Sequence, residues 1–174
     1  MIGLVLLAGA VAVVLTQVRF GGGPLSDPAF GGITERTMKV GDVRGLTEIH
    51  LEVPGDRDVS IERIEPIGAT PQTEVSFFAV QPGSSTSYEG FWPPPDLPES
   101  ELRPVAGHVV PAGTRGPDGY HQVVARIRAA GPGCIGFDGV RIDYKSGFLR
   151  YRRDAIPLHF HARTQGAPRC DWSR

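Results

Sequence analysis

The tightest constraint on the fold is a two-residue alternation of apolar and polar side chains that starts near Leu46 and recurs towards the C-terminus, punctuated by Gly and Pro. Neighbouring side chains on a strand point to opposite faces, so this period marks half-buried strands. In "LTEIHLEVP", Ile49, Leu51 and Val53 share one face and Glu48, His50 and Glu52 the other. A Pro-Gly-Asp turn leads to "DVSIERIEPI", and "TEVSFFAVQ" spans Thr73 to Gln81. There the adjacent Phe77 and Phe78 point opposite ways, so one of them needs a covering loop. Strands resume with "PVAGHVVPAG" and "HQVVARIRAA". "GVRIDYKSGFLRYRR" predicts a hairpin with Val140, Ile142, Tyr144, Leu149 and Tyr151 inward and a turn at Lys145 to Gly147. The last strand, "AIPLHFHAR", turns Ile156, Leu158, Phe160 and Ala162 inward.

No long segment of helical period follows residue 18, and no internal repeat is present. Short strands between Gly/Pro turns predict an all-β domain over residues 46–174, an immunoglobulin-like antiparallel β-sandwich. Between the third and fourth strands, "FWPPPDLPES" enforces an extended course and withholds backbone donors. This loop reads as a packed connection pinned by Phe91 or Trp92, in preference to a Pro-rich ligand for an SH3-like domain.

Ahead of the domain, "MIGLVLLAGAVAVVLTQV" carries no charged side chain, and Arg19 is the first charge. Eighteen helical residues reach roughly 27 Å, close to the thickness of a hydrocarbon core. Residues 1–18 are therefore expected to form a single transmembrane helix or uncleaved signal anchor. The alternative is a cleaved signal peptide, with "AVA" (Ala10 to Ala12) as the small-residue cleavage site. The lack of a basic residue before the apolar stretch, with Arg19 behind it, speaks for a cytoplasmic head. "GGGPLSDPAFGG" then has five Gly and two Pro, so residues 19–45 are expected to be a flexible tether.

A net charge of -1 argues against a nucleic-acid binder, which would be strongly basic. The charge is unevenly spread: from Arg141 onward eight Lys or Arg face three Asp, whereas the earlier residues hold ten basic and sixteen acidic side chains. Two cysteines, Cys134 and Cys170, have no CxxC or Cys/His cluster around them, which excludes a zinc ribbon. In an exported chain they form one disulfide, closing a loop of roughly 36 residues at a value of about 4 kcal/mol.

The run "RPVAGHVVPAG" through "VVARIRAAGPGCIGFDGVRIDYKSGFLRYRR" resembles the C-terminal part of small exported actinobacterial proteins. Pro132, Gly133, Gly139, Val140, Ile142, Tyr144 and Gly147 carry the likeness. It implies one N-terminal membrane segment and a β-sandwich head of unknown function. Sixteen Arg against two Lys fit a high-GC source. With the Cys pair, the tether and the low Lys content, this favours an extracytoplasmic head on a single-pass membrane protein.

Enzyme motifs are missing: no GxSxG, HExxH, P-loop or GxGxxG occurs, and "GDRD" lacks the later oxygen ligands of a calcium loop. The chain has no Asn and thus no N-glycosylation acceptor. No cofactor is expected. His159 and His161, two apart on one strand face with Cβ atoms roughly 7 Å apart, are the candidate metal ligands for copper or zinc. A third ligand would have to come from His50, His108, His121 or Asp143. Against this, the pair lies on the polar face of its strand, and the chain has no Met-rich copper motif. Arg141, Lys145, Arg150 and Arg152 occupy outward positions of the hairpin, a candidate patch for an anionic partner such as lipid headgroups or an envelope polymer. The alternative role of such cations is to blunt the sheet surface. The expectation is a membrane-anchored, non-enzymatic interaction or structural module of the cell envelope, with a metal-binding envelope protein as the alternative.

Overall fold

Period two becomes thirteen strands in the computed structural model, which describes residues 19–26, 32–34, 37–81, 84, 90–115, 121–155 and 158–172. In chain order they are β1 (Arg19–Gly21), β2 (Gly32–Thr34), β3 (Val43–Leu51), β4 (Val59–Ile67), β5 (Thr73–Val80) and β6 (Gly90–Phe91). After a 3-10 turn at Glu99–Glu101 follow β7 (Leu102–Pro104), β8 (Val109–Val110), β9 (His121–Ala129) and β10 (Cys134–Phe137). The hairpin is β11 (Gly139–Ser146) and β12 (Leu149–Ala155), and β13 (His159–Arg163) comes last. They form three sheets, with strand orders β1-β12-β11-β4-β8, β10-β13-β2 and β6-β3-β9-β5-β7. All three contribute to one core, through Ile61 and Ile142 of the first, Phe137 and Phe160 of the second, and Leu46 and Ile127 of the third. The structure is all-β; the expected membrane helix, residues 1–18, lies outside the described residues. Among the described residues no helix is long and apolar enough to cross a membrane.

Two irregularities reconcile the sequence pattern with this core. Leu46 and Ile49 are an odd number of residues apart, yet both are fully buried, and the pairing of β3 with β9 shifts register between them. Ile61 and Ile64 pose the same problem on β4. Ile61 pairs with Tyr144 and Arg63 with Asp143, so Glu62 is the extra residue of a bulge. The bulge keeps both isoleucines inward and turns Glu62 and Arg63 outward together.

Within the segment expected to be a tether, residues 19–45, the described residues contribute two strands and two core side chains. β1 adds to β12 and β2 to β13, both in parallel, whereas the other strand pairs are antiparallel. Leu25 and Met38 are buried in the shared core. Gly23 explains how the chain turns in so tightly. It has a φ of +98°, and a Cβ there would stand 2.6 Å from both the Tyr144 hydroxyl and the Tyr151 ring. Glycine composition suggested flexibility, but here glycine is needed for close approach. Tyr144, fully buried and stacked on Tyr151, donates its hydroxyl to the Gly22 carbonyl at 2.5 Å, and Arg153 donates to the Leu25 carbonyl.

Other expectations are met locally. Phe78 is covered by the Pro-rich loop: Trp92 packs against it at 5.7 Å, and Leu97 seals a small second cluster with Val80 and Val124. Phe91 stays exposed, with the Arg44 guanidinium 4.1 Å over its ring. The strand expected over "PVAGHVVPAG" shrinks to β7 and β8 on two sheet edges. The hairpin turn is Gly147 and Phe148, one step later than the pattern suggested, because Ser146 still pairs with Leu149 and bonds the Asp58 carbonyl. Of the six edge strands, β1, β2, β6, β7 and β8 are two or three residues long and β10 is four, so every edge is short, which limits strand addition.

If Leu25 is core and not tether, Leu25→Ala should lower unfolding free energy by about 2–5 kcal/mol in urea denaturation. A cost near zero would return residues 19–26 to the status of a linker.

Candidate functional site

The Glu62 bulge lies on a densely charged surface, the outer face of the first sheet. Asp143 of β11 is 1% exposed and lies at its centre. Arg152 of β12 grips it with both arms, Nε to Oδ1 at 2.8 Å and Nη2 to Oδ2 at 3.2 Å. Arg63 of β4 donates to Oδ2 at 3.1 Å. Arg19 of β1 brings Nε to 3.3 Å, out of line for a hydrogen bond, so its contribution is charge alone. Burial pushes the Asp143 pKa up, but the hydrogen bonds of Arg152 and Arg63 and the charges of Arg19 and Arg152 together outweigh it and hold it below the usual carboxylate range.

The four cations singled out from the sequence share this face, though mostly as members of ion pairs. Arg141 is bidentate to Asp154, at 2.7 and 2.8 Å, and this contact lowers the Asp154 pKa. Arg150 reaches Glu62 at 3.0 Å, and Arg152 is committed to Asp143. Lys145 is exposed and makes no ion pair among the described residues. Arg19, Glu62 and Arg63 were not singled out beforehand. The odd spacing of Ile61 and Ile64 was the available signal for the last two. With both Asp143 oxygens held by guanidinium groups, the cluster is built for rigidity and charge, and its carboxylate is not free to act as a base.

The second place of interest is the corner where β10 and β13 meet the C-terminal tail. The predicted disulfide is present: Cys134 and Cys170 are bonded, with Cα atoms 5.7 Å apart. It brings Trp172 flat against His161, with centroids 4.1 Å apart and planes 4° apart. Gly136 makes the room, since a Cβ there would lie 2.2 Å from the Phe160 carbonyl oxygen and 3.1 Å from the indole. The His161 Nε2 meets Asp138 Oδ1 at 2.9 Å. A cleft of about 320 Å³ opens beside this stack, lined by Gly68, Thr70, Cys134, Asp138, Asp171 and Trp172. Asp138 and Trp172 escaped the sequence reading, although Trp172 is only two residues past Cys170.

His159 and His161 do lie side by side, rings 5.0 Å apart, and both are half-buried. The proposed third ligands are elsewhere. His108 and His121 bond each other, Nε2 to Nδ1 at 2.9 Å, Asp143 is wrapped in arginine, and His50 is on β3 of another sheet. Among the described residues no group of three or more His, Cys, Asp or Glu side chains is arranged to hold a metal ion.

No family model, no curated protein and no solved structure matches the chain.

Two pH windows follow from these groups. Burial, and for His108 also the charge of His121, lowers the pKa of both histidines, so the unfolded chain takes up protons more readily. Their contribution is complete above about pH 6.5 and drains as the pH falls through the lower folded values. Asp143 and Asp154, with lowered values, contribute above about pH 4 and lose their effect below it. Urea midpoints should therefore drop in two steps on acidification, the upper one flattened by His121→Gln. A level curve between about pH 7 and pH 5 would rule out the histidine step. Asp143→Asn should cost about 2 kcal/mol at neutral pH, below the usual figure for breaking a buried pair, because the freed guanidinium groups are partly exposed and can rehydrate.

Proposed function

We propose that the chain is a membrane-anchored extracytoplasmic protein of the cell envelope whose head, an immunoglobulin-like β-sandwich, serves as a non-enzymatic interaction or structural module. The Cys134–Cys170 bond carries this reading, because such bonds persist in oxidising compartments and are rare in the cytosol. The uncharged stretch of residues 1–18 supports the anchor, and the resemblance to exported actinobacterial proteins points the same way. Sandwich geometry is favoured by two five-stranded sheets that share one core. The interaction surface is the outer face around Asp143. Its cations exceed its carboxylates, which suits an anionic partner, and its ion pairs hold the presented side chains in place.

Thiol labelling of intact cells tests the compartment. Neither cysteine should react with a membrane-impermeant maleimide until a reductant is added, and both should react afterwards. Ready labelling without reduction would leave the head outside but with free thiols, removing the bond that carries the reading, and protection of both thiols until the membrane is opened would place the head in the cytoplasm.

A copper or zinc site at His159 and His161 is the second reading, favoured by the 5.0 Å ring separation and by Asp138 beside His161. It is the weaker one, since no third ligand converges among the described residues. Calorimetry of the untagged chain with zinc and copper discriminates: the metal reading requires a binding isotherm that disappears in the His159→Ala/His161→Ala double variant, and a flat titration of the parent protein eliminates it.

A further inference from the structure

The chain direction of β1 defines which end of the head lies nearest residues 1–18. β1 runs parallel to β12 with Arg19 opposite Arg150, so the chain enters the sheet at the end where the Gly147–Phe148 turn closes the hairpin. There is no spacer. The uncharged stretch ends at Val18, and the next residue is already a rung of the sheet, held by Glu62 and the charge of Asp143.

The same end carries side chains suited to a membrane surface. Register aligns Val109, Ser60, Lys145, Arg150 and Arg19 in one row across the first sheet. Three large apolar side chains are exposed around that row: Phe148 at the hairpin tip (75%), Val109 (47%) and Phe20 (40%). Aromatic side chains with Lys and Arg beside them are the usual composition of a protein segment at the headgroup level. Among the described residues the carboxylates at this end are Glu62, shared by Arg19 and Arg150, Asp143 behind Arg19, and Asp56 and Asp58 in the turn before β4. Arg57 and Arg115 lie in the same turn region, Arg115 bonded to the Pro54 carbonyl, so among the described residues five cations stand against four carboxylates.

Resting on the membrane-anchored reading above, we propose that the head lies on the bilayer through this end, with Phe148 seated among anionic phospholipid headgroups and Lys145 and Arg150 flanking it. The occupant is the lipid surface because residues 1–18 deliver the head to it at zero spacing and the surplus charge is positive. Each cation near an anionic leaflet adds to the attraction, and the effect falls away within a Debye length, so docking weakens with salt.

The experiment uses the full chain reconstituted in phosphatidylcholine vesicles with or without phosphatidylglycerol, carrying Phe148→Trp. Trp172 packs at β10, by the opposite end of β11, so the emission of the new indole is read as the difference from the parent protein. The expected result is quenching of that difference signal by headgroup-labelled lipid when phosphatidylglycerol is present. Lys145→Glu should reduce the docked fraction about fivefold, and high salt should have a similar effect. If the chain floats with the vesicles but the indole at 148 is quenched no more with phosphatidylglycerol than without, the docking surface is wrong and the anchor stands. If the chain does not float with vesicles at all, the anchor and this surface fall together.

Discussion

A single buried carboxylate ties the first sheet together. Asp143 accepts or attracts guanidinium groups from β1, β4 and β12 while standing on β11, so four of the sheet's five strands meet at one charge. A carboxylate almost withdrawn from water is costly unless its lone pairs are filled. That cost explains the arrangement around it: the bulge that turns Arg63 and Glu62 outward together, and the parallel addition of β1 that brings Arg19 to the same spot. The cluster couples the segment from Arg19 to the hairpin, so the route of the chain into the first sheet is part of the fold.

Much of the fold was legible from local chemistry. The hairpin of β11 and β12, the inward set Val140, Ile142 and Tyr144, and the core side of β13 follow from alternation, because a strand's pleat forces that period. The disulfide followed from the presence of two cysteines with no metal-binding company. Alternation misled where its parity broke. Ile61 and Ile64 cannot both face inward on a regular strand, and only the pairing partner decides which residue bulges.

The segment 19–45 shows the opposite failure. Five Gly and two Pro between Gly21 and Gly32 have the composition of a linker. Gly23, however, is glycine because Tyr144 and Tyr151 leave no space for a Cβ, and that is a fact about residues more than a hundred positions away. Composition reports conformational freedom of the unfolded chain; it cannot report what the folded chain packs against. The candidate site has the same character. Arg141, Lys145, Arg150 and Arg152 could be placed on one face from strand parity, but their carboxylate partners, Asp143 excepted, are set by register or by the bulge.

What the sequence by itself determined is the strand content, the inward face of each regular strand, the uncharged N-terminal stretch and the presence of one cysteine pair, all of which depend on neighbours along the chain. The tertiary structure alone decided that residues 19–26 enter the core, that the basic stretch is a network around Asp143, and that Trp172 covers His161 in place of a third metal ligand. These depend on contacts between residues distant in sequence, where register, a bulge or a disulfide determines who meets whom, and no local periodicity encodes that meeting.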